Sequence, residues 1–522
     1  MDALFAPLAD ALGASIDQTK LIWCLLIAYP LGSLFIRIPS SQPNLKHAFN
    51  IFISIFFLIP VLNLHWGFLQ LLGSVLGTYF IAANIRGPSM PWIVFMQVYL
   101  SSVRFHAIRV VYELSYETME VTGPQMVLVM KLTTFAWNVY DGRRPKEDLD
   151  KWQLQKRVTK FPTLLEFLGY SFYFPGSLVG PYLDYASYSS LIDESLFQSA
   201  ESTKPMRRAI PDGRKRVAYR KMLTGLVFLG LYVVVIPTHN FSTTLTPWFA
   251  EQSLLYRITV FQFYGFIERC KYYAVWTLTE GASILTGLGF SGFGPSGESL
   301  WEGAANIKIL EIELPSNFKV LLDSWNINTN IWLRECVYKR VTPEGKKPGF
   351  GSTLITFVTS AFWVGSCLLS RTKLTKNIQH GIAIGYYFTF ILGGFVTYLG
   401  RKCRGGFRPL VLPSPGAPPT WAKRVYDFLG MLLSTLLVNY VAAPFLLLSF
   451  TDSIEAWSRV GWYGCWIVGF GVVFFNAGGS EYLQSLQKKQ AHAMDVKKPQ
   501  TPSPGVVVPL EPAVEELKTR MI

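Results

Sequence analysis

Six histidines, His47, His65, His106, His239, His380 and His492, are the groups of this 522-residue chain best suited to moving a proton near neutral pH. His380 alone opens a strongly apolar, glycine-containing run, HGIAIGYYFTFILGG. An ionisable group at membrane depth is costly and marks a functional candidate. A histidine at a helix end, bonded to a carbonyl or to lipid headgroups, is the other reading, and position alone leaves both open. Upstream lies SWNINTNIWLRECVYKR, Ser324 to Arg340, where Asn326, Asn328, Thr329 and Asn330 stand among Trp325, Ile327, Ile331 and Trp332. Amides in an apolar setting need hydrogen-bond partners. They can orient an imidazole or bind a carbonyl oxygen without adding charge. Helix capping is the competing explanation and suits most of them.

Other patterns carry less. Gly287, Gly289 and Gly292 spell GxGxxG, but no βαβ pattern surrounds them, which argues against a dinucleotide site. There is no GxSxG elbow, and no histidine is followed by an aspartate five residues later. The six cysteines stand singly without a CxxC pair, so neither a zinc site nor a disulfide framework is indicated. Asp141 to Lys160 mixes both charge signs and reads as a solvated, partly helical loop. The aromatics Tyr170, Phe172, Tyr173 and Phe174 read as packing and interface anchors.

The elements that position these groups are membrane helices. Half of the chain is hydrophobic and 16% is charged, against about 25% in an ordinary soluble domain. Apolar runs near the roughly 20 residues that a bilayer requires recur from Leu21 to Phe475. They predict an all-α polytopic membrane protein with about nine to eleven transmembrane or re-entrant helices, bent where Pro30, Pro60 and Pro91 fall. The start lacks the basic region of a cleaved signal peptide, so the first run is expected to stay. Residues 1–20 read as an N-terminal segment, 21–486 as the membrane domain, and 487–522 as a mobile, proline-containing tail.

The net charge of +14 falls mainly in three clusters outside the apolar runs: Arg143 to Lys160, Arg207 to Lys221, and Arg401 to Arg424. Basic clusters beside membrane helices mark cytosolic loops, so membrane lipids and not nucleic acid are the expected partner. The sequon at Asn240 would then face the lumen. No internal repeat is visible, which counts against a transporter built from two halves.

Several segments together resemble one family. FAWNVYDG (135–142), YSFYFPGSLVGPYLDY (170–185), LTGLGFSG (285–292), SWNINTNIWLR, and SAFW followed later by HGIAIGYYFTF look like the membrane-bound O-acyltransferases, nearest to their fungal lysophospholipid acyltransferase branch. The resemblance spans roughly residues 15 to 480. It implies helices around an interior catalytic chamber in the endoplasmic-reticulum membrane. It also implies transfer of an acyl chain from acyl-CoA, a co-substrate, to a lysophospholipid, with no metal or other cofactor. The family's histidine in its Trp-His-Gly motif falls on His380 and its Trp-Asn asparagine on Asn326. A neutral imidazole can take the proton of the attacking hydroxyl, while Asn326 either holds the oxyanion or holds the histidine. A sterol, diacylglycerol or protein acceptor is the alternative within the superfamily; a transporter is the alternative outside it.

One departure stands in the motif. Trp363 and His380, neighbours in the family, are here separated by sixteen residues, Val364 to Gln379, whose removal leaves SAFWHGIAIGYYFTFILGG. Valine codons begin with GT, one glutamine codon ends in AG, and sixteen codons keep the reading frame. The segment therefore reads as translated intron, against the alternative of a genuine loop insertion. Arg371, Lys373 and Lys376 each cost about 2.5–3.5 kcal/mol at a helix centre. The expected result is a looped-out segment, a helix broken at Trp363 and an impaired enzyme.

Overall fold

A computed structural model describes residues 1–111, 121–197, 210–342, 350–366, 384–413 and 417–496. The chain begins with α1 (Asp2–Leu12) and α2 (Ile16–Phe35). A capping box starts α2: Ser15 Oγ accepts the Gln18 N–H and Gln18 Oε1 accepts that of Ser15, both at 3.2 Å. Phe5 meets Trp23 edge-on at 5.7 Å, and buried Lys20 pairs with Asp2. The N-terminal segment is thus helix α1, docked on α2, followed by a short turn and the first residues of α2.

Next come α3 (Pro43–Phe56), whose π turn Phe57–Val61 absorbs Pro60, then α4 (His65–Asn84) and α5 (Met90–Val111). Pro91 is the second residue of α5, where its missing N–H costs nothing, so it starts this helix and does not bend it. Helix α6 (Thr122–Gly142) buries every side chain from Val127 to Val139. A helix buried on all sides can find partners for its polar groups only inside the protein. Accordingly Lys131 donates to the carbonyls of Tyr170 and Ser171, and Tyr170 Oη donates to the Lys131 carbonyl at 3.0 Å. These bonds tie α6 to the aromatic stretch around α8 (Leu164–Ser171) and α9 (Tyr185–Ile192), which follow the short α7 (Lys151–Lys156). Tyr170, Tyr173 and Tyr188 are fully buried, so the aromatics here are core.

Helices α10 (Arg214–Val235) and α12 (Leu254–Thr286) pack along each other, joined through α11 (Pro247–Glu251). Arg214, Lys215, Arg216, Arg220 and Lys221 lie on the first two turns of α10, not in the loop where the hydropathy pattern puts them. They are tolerated because long basic side chains reach the interface or a partner; Lys221 meets buried Glu280 of α12 at 2.8 Å. At 1.5 Å per residue α10 spans about 33 Å, which places Asn240 beyond its opposite end. Helix α12 stops at Gly287, whose φ of 101° is left-handed. A Cβ there would lie 2.8 Å from the Phe197 ring. The GxGxxG run is therefore a helix stop and turn leading into the two-residue ribbon of β1 (Gly292–Phe293) and β2 (Ser299–Leu300).

After the ribbon come α13 (Ile309–Glu313), α14 (Phe318–Ser324) and α15 (Ile327–Leu333), the last continued by a π turn, Arg334–Tyr338. The remaining helices are α16 (Phe350–Ser366), α17 (Ile384–Val411), α18 (Trp421–Leu447), α19 (Phe450–Arg459), α20 (Tyr463–Phe474) and α21 (Ser480–Val496). Among the described residues five helices are long and apolar enough to cross a bilayer: α2, α3 with its π turn, α4, α10 and α18. A sixth span is possible if α19 and the helix beginning at Tyr463, which meet at 84°, form one broken crossing. The described parts of the other expected apolar runs are largely helical. In α6 and α12, however, the apolar residues are interrupted by groups such as Lys131, Arg269 and Glu280 that find partners inside the protein.

The chain divides into two compact units. The larger holds residues Met1–Gly400 and Asp427–Val468. In the smaller, Gln487 Nε2 donates to the carbonyls of Gly405 and Gly406 at 2.9 and 2.7 Å, fastening α21 to the end of α17. Helix α21 runs past Gln487, where the sequence predicts the tail to begin, because no proline lies between Ser480 and Pro499.

Candidate active site

Asn326 sits at the joint between α14 and α15. Its backbone is left-handed (φ 47°, ψ 53°), a conformation that asparagine tolerates better than most residues. Its carbonyl accepts the first helical bond, from Asn330 N–H at 3.1 Å. Its side chain caps nothing. Two neighbours hold the joint. Trp325 packs its ring on Tyr272 and Trp276 of α12 at 5.4 and 5.3 Å. On the other side Asn306 to Lys308 run antiparallel to Ser324–Ile327: Ile327 N–H donates to the Asn306 carbonyl and Lys308 N–H to that of Ser324, both at 3.0 Å.

The orientation of the Asn326 amide follows from one unambiguous donor. The backbone N–H of Asn328 donates to Asn306 Oδ1 at 3.0 Å. That bond fixes the Asn306 amide, so its Nδ2 donates to Asn326 Oδ1 at 3.1 Å. Thr329 Oγ1 donates to the same oxygen at 2.9 Å. With two donors on its oxygen, Asn326 presents its N–H pair outward, and that pair has no partner among the described residues. Asn328 Nδ2 in the same turn is also buried without a partner. Asn330 acts conventionally, donating to the carbonyls of Leu322 and Trp325 at 2.6 and 2.9 Å. Capping thus explains Asn330 and not Asn326. Asn306 is the residue that the sequence reading missed: it lies twenty positions upstream in a glycine- and alanine-rich stretch with no periodicity to single it out.

Helix α6 holds this turn from behind. Thr329 reaches Met130 Sδ at 3.4 Å, Trp332 Nε1 donates to Thr133 Oγ1 at 2.9 Å, and Cys336 meets Thr134 at 3.4 Å. Arg340 forms a bidentate pair with Asp141 and lies 4.3 Å from the centroid of the Trp137 ring. Positions 329, 332, 336 and 340 advance one helical turn at a time along 130, 133, 134 and 141. Helix α6 and α15 with its π turn therefore pack along each other.

Trp363 is buried and packs on Trp332 at 5.4 Å between ring centroids. The expected helix break at Trp363 does not occur: α16 continues through Val364, Gly365 and Ser366. The ring is seated from one side by Trp332. His380 lies outside the described residues, as do residues 367–379.

The model of the membrane-bound O-acyltransferase family matches residues 108–443. This chain belongs to that family. It is 38% identical over 460 residues to a lysophospholipid acyltransferase of Schizosaccharomyces pombe, covering 88% of this chain and 86% of that protein. To a lysophospholipid acyltransferase of Saccharomyces cerevisiae it is 36% identical over 517 residues, 95% of this chain and 81% of that one. A human membrane-bound glycerophospholipid O-acyltransferase 2 is 28% identical over 476 residues, 88% and 85% of the two chains. The chain is thus a multi-pass membrane-bound O-acyltransferase and not a transporter.

Proposed function

We propose that this O-acyltransferase moves a fatty acyl chain from acyl-CoA to the free hydroxyl of a lysophospholipid, in the endoplasmic-reticulum membrane. The observation that carries the acceptor class is the likeness, at 36–38% identity over most of both chains, to two fungal enzymes named for that activity. In this reading the neutral imidazole of His380 takes the hydroxyl proton as that oxygen attacks the thioester carbonyl carbon. The outward N–H pair of Asn326 donates to the carbonyl oxygen as it becomes an oxyanion. Collapse expels the CoA thiolate, which receives the proton from the imidazolium. Asn306 and Thr329 keep the Asn326 donors pointing at the reacting oxygen, so no reorientation is required at the moment of reaction.

Microsomes from a host lacking such activity, given labelled oleoyl-CoA and a panel of lysophospholipids, sterol and diacylglycerol, test the acceptor. Labelled phospholipid is the expected product, and labelled sterol ester or triacylglycerol would replace this reading. His380→Ala is expected to reduce turnover about 10²- to 10⁴-fold at unchanged protein level.

The reading also covers Val364 to Gln379. The 506-residue form without this segment is proposed as the active enzyme, with Trp363 adjoining His380. About 1 Å of displacement at a reacting group can cost roughly 100-fold in rate, and a loss of that order is expected in the 522-residue form. Equal turnover of the two forms, or a mature transcript carrying the segment as its dominant species, argues for a genuine loop.

A further inference from the structure

Arg86, two residues past the end of α4, and Arg143, one residue past the end of α6, line an open cleft of about 470 Å³ whose other described walls are Ala83 and Phe161. That volume suits a small ligand or the polar end of a larger one, and among the described residues its lining holds two cations and no carboxylate. Arg143 donates through Nη1 to the Ile85 carbonyl at 2.8 Å and through Nη2 to that of Ala82 at 2.7 Å. These bonds cover one carbonyl in the last turn of α4 and the one just beyond its end, and so offset part of the negative helix terminus that would repel an anion. They spend two of the five N–H groups of a guanidinium and leave three. Arg86 has no hydrogen bond or ion pair among the described residues. Burial, and the neighbouring positive charge of Arg86, hold the Arg143 guanidinium below its ordinary range. Helix capping accounts for Arg143 but gives no reason for a second arginine beside it. Two like charges at one cleft are unfavourable until an anion lies between them.

We propose that this cleft binds a phosphate ester bridged by Arg86 and Arg143, since a guanidinium fork matches phosphate oxygens in geometry as well as charge. Given the acyl-CoA and phospholipid reading above, on which this assignment of sources rests, the phosphate belongs either to CoA or to a glycerophospholipid headgroup.

The test uses the purified full-length protein and measures binding, not turnover, so failure of the acyl-transfer reading leaves it readable. One arm titrates unacylated CoA. The other compares thermal stability in nanodiscs of phosphatidylcholine with and without phosphatidic acid. Arg86→Gln changes an exposed side chain with no described partner and is expected to leave the unliganded protein as stable as wild type. It should weaken CoA binding about ten- to hundredfold, the usual range for losing a charged hydrogen bond, or abolish the stabilisation by phosphatidic acid. The arm that responds identifies the source. Arg86→Lys keeps the charge and should retain part of the effect. Arg143→Gln should act in the same arm. Wild-type responses in both arms for Arg86→Gln overturn the proposal and leave Arg143 as a helix cap.

Discussion

Two polar clusters lie deep in this protein, and they are finished differently. On α12, Arg269 pairs with Glu313 at 2.8 Å, receives support from Tyr273, and donates to Asn439 of α18. Asn439 Nδ2 in turn donates to Gln262 at 2.8 Å, and Gln262 to Tyr463 Oη at 3.1 Å. Each of these side chains has a partner, and the cluster ties α12, α13, α18 and α20 together. The Asn306–Asn326–Thr329 network is just as ordered, yet it ends on a pair of N–H groups with no partner among the described residues. The charged cluster would draw attention first in any survey of intramembrane ionisable residues. It is closed, and a closed network has nothing left to offer a substrate. The neutral one is open at one end, and an unspent, oriented donor is what stabilising a developing oxyanion requires.

The sharpest break in this comparison is Asn326→Ala, which removes the open donors. Turnover is expected to fall about 100- to 1,000-fold, with little change in the KM for lysophospholipid and no loss of protein. A fall of less than tenfold would move the oxyanion role to backbone donors. Asn306→Asp comes next. Its carboxylate still accepts the Asn328 N–H but cannot donate to Asn326 Oδ1, so the Asn326 amide loses its enforced orientation. Turnover should drop about tenfold, the scale of one hydrogen bond. Unchanged turnover would mean that Thr329 alone fixes the amide. Arg269→Met should have the smallest effect on turnover, none per folded molecule. It should cost about 3–5 kcal/mol of stability by stranding Glu313, seen as faster thermal inactivation in detergent. Adding Glu313→Leu should recover much of that loss. A turnover defect that persists in the stable double variant would place the charged cluster in the chemistry and erase the distinction.

Most of the helices are legible in the sequence because a membrane helix declares itself by composition: the run Trp66 to Ile85 differs from α4 by one residue at each end. The errors occur where a local rule met a tertiary partner. The hydropathy pattern put Arg214 to Lys221 in a loop, but that stretch is helical, and Glu280 on the facing helix gives Lys221 at its end a partner. A helix break was expected at Trp363, yet Trp332 seats that ring and the helix continues.

Residue types determined the class of this protein, its helical character and the candidacy of the polar stretch Asn326 to Asn330, because burial cost and hydrogen-bonding capacity belong to the side chains themselves, while the choice of Asn326 within it came from the motif resemblance. Which asparagine caps a helix and which presents free donors was decided by the fold alone. That outcome depends on Asn306 being carried back against Ile327 and Asn328 by the turn through α13 and α14. The direction in which an amide points is a property of its partners, and those partners are twenty residues away in the chain and adjacent only in space.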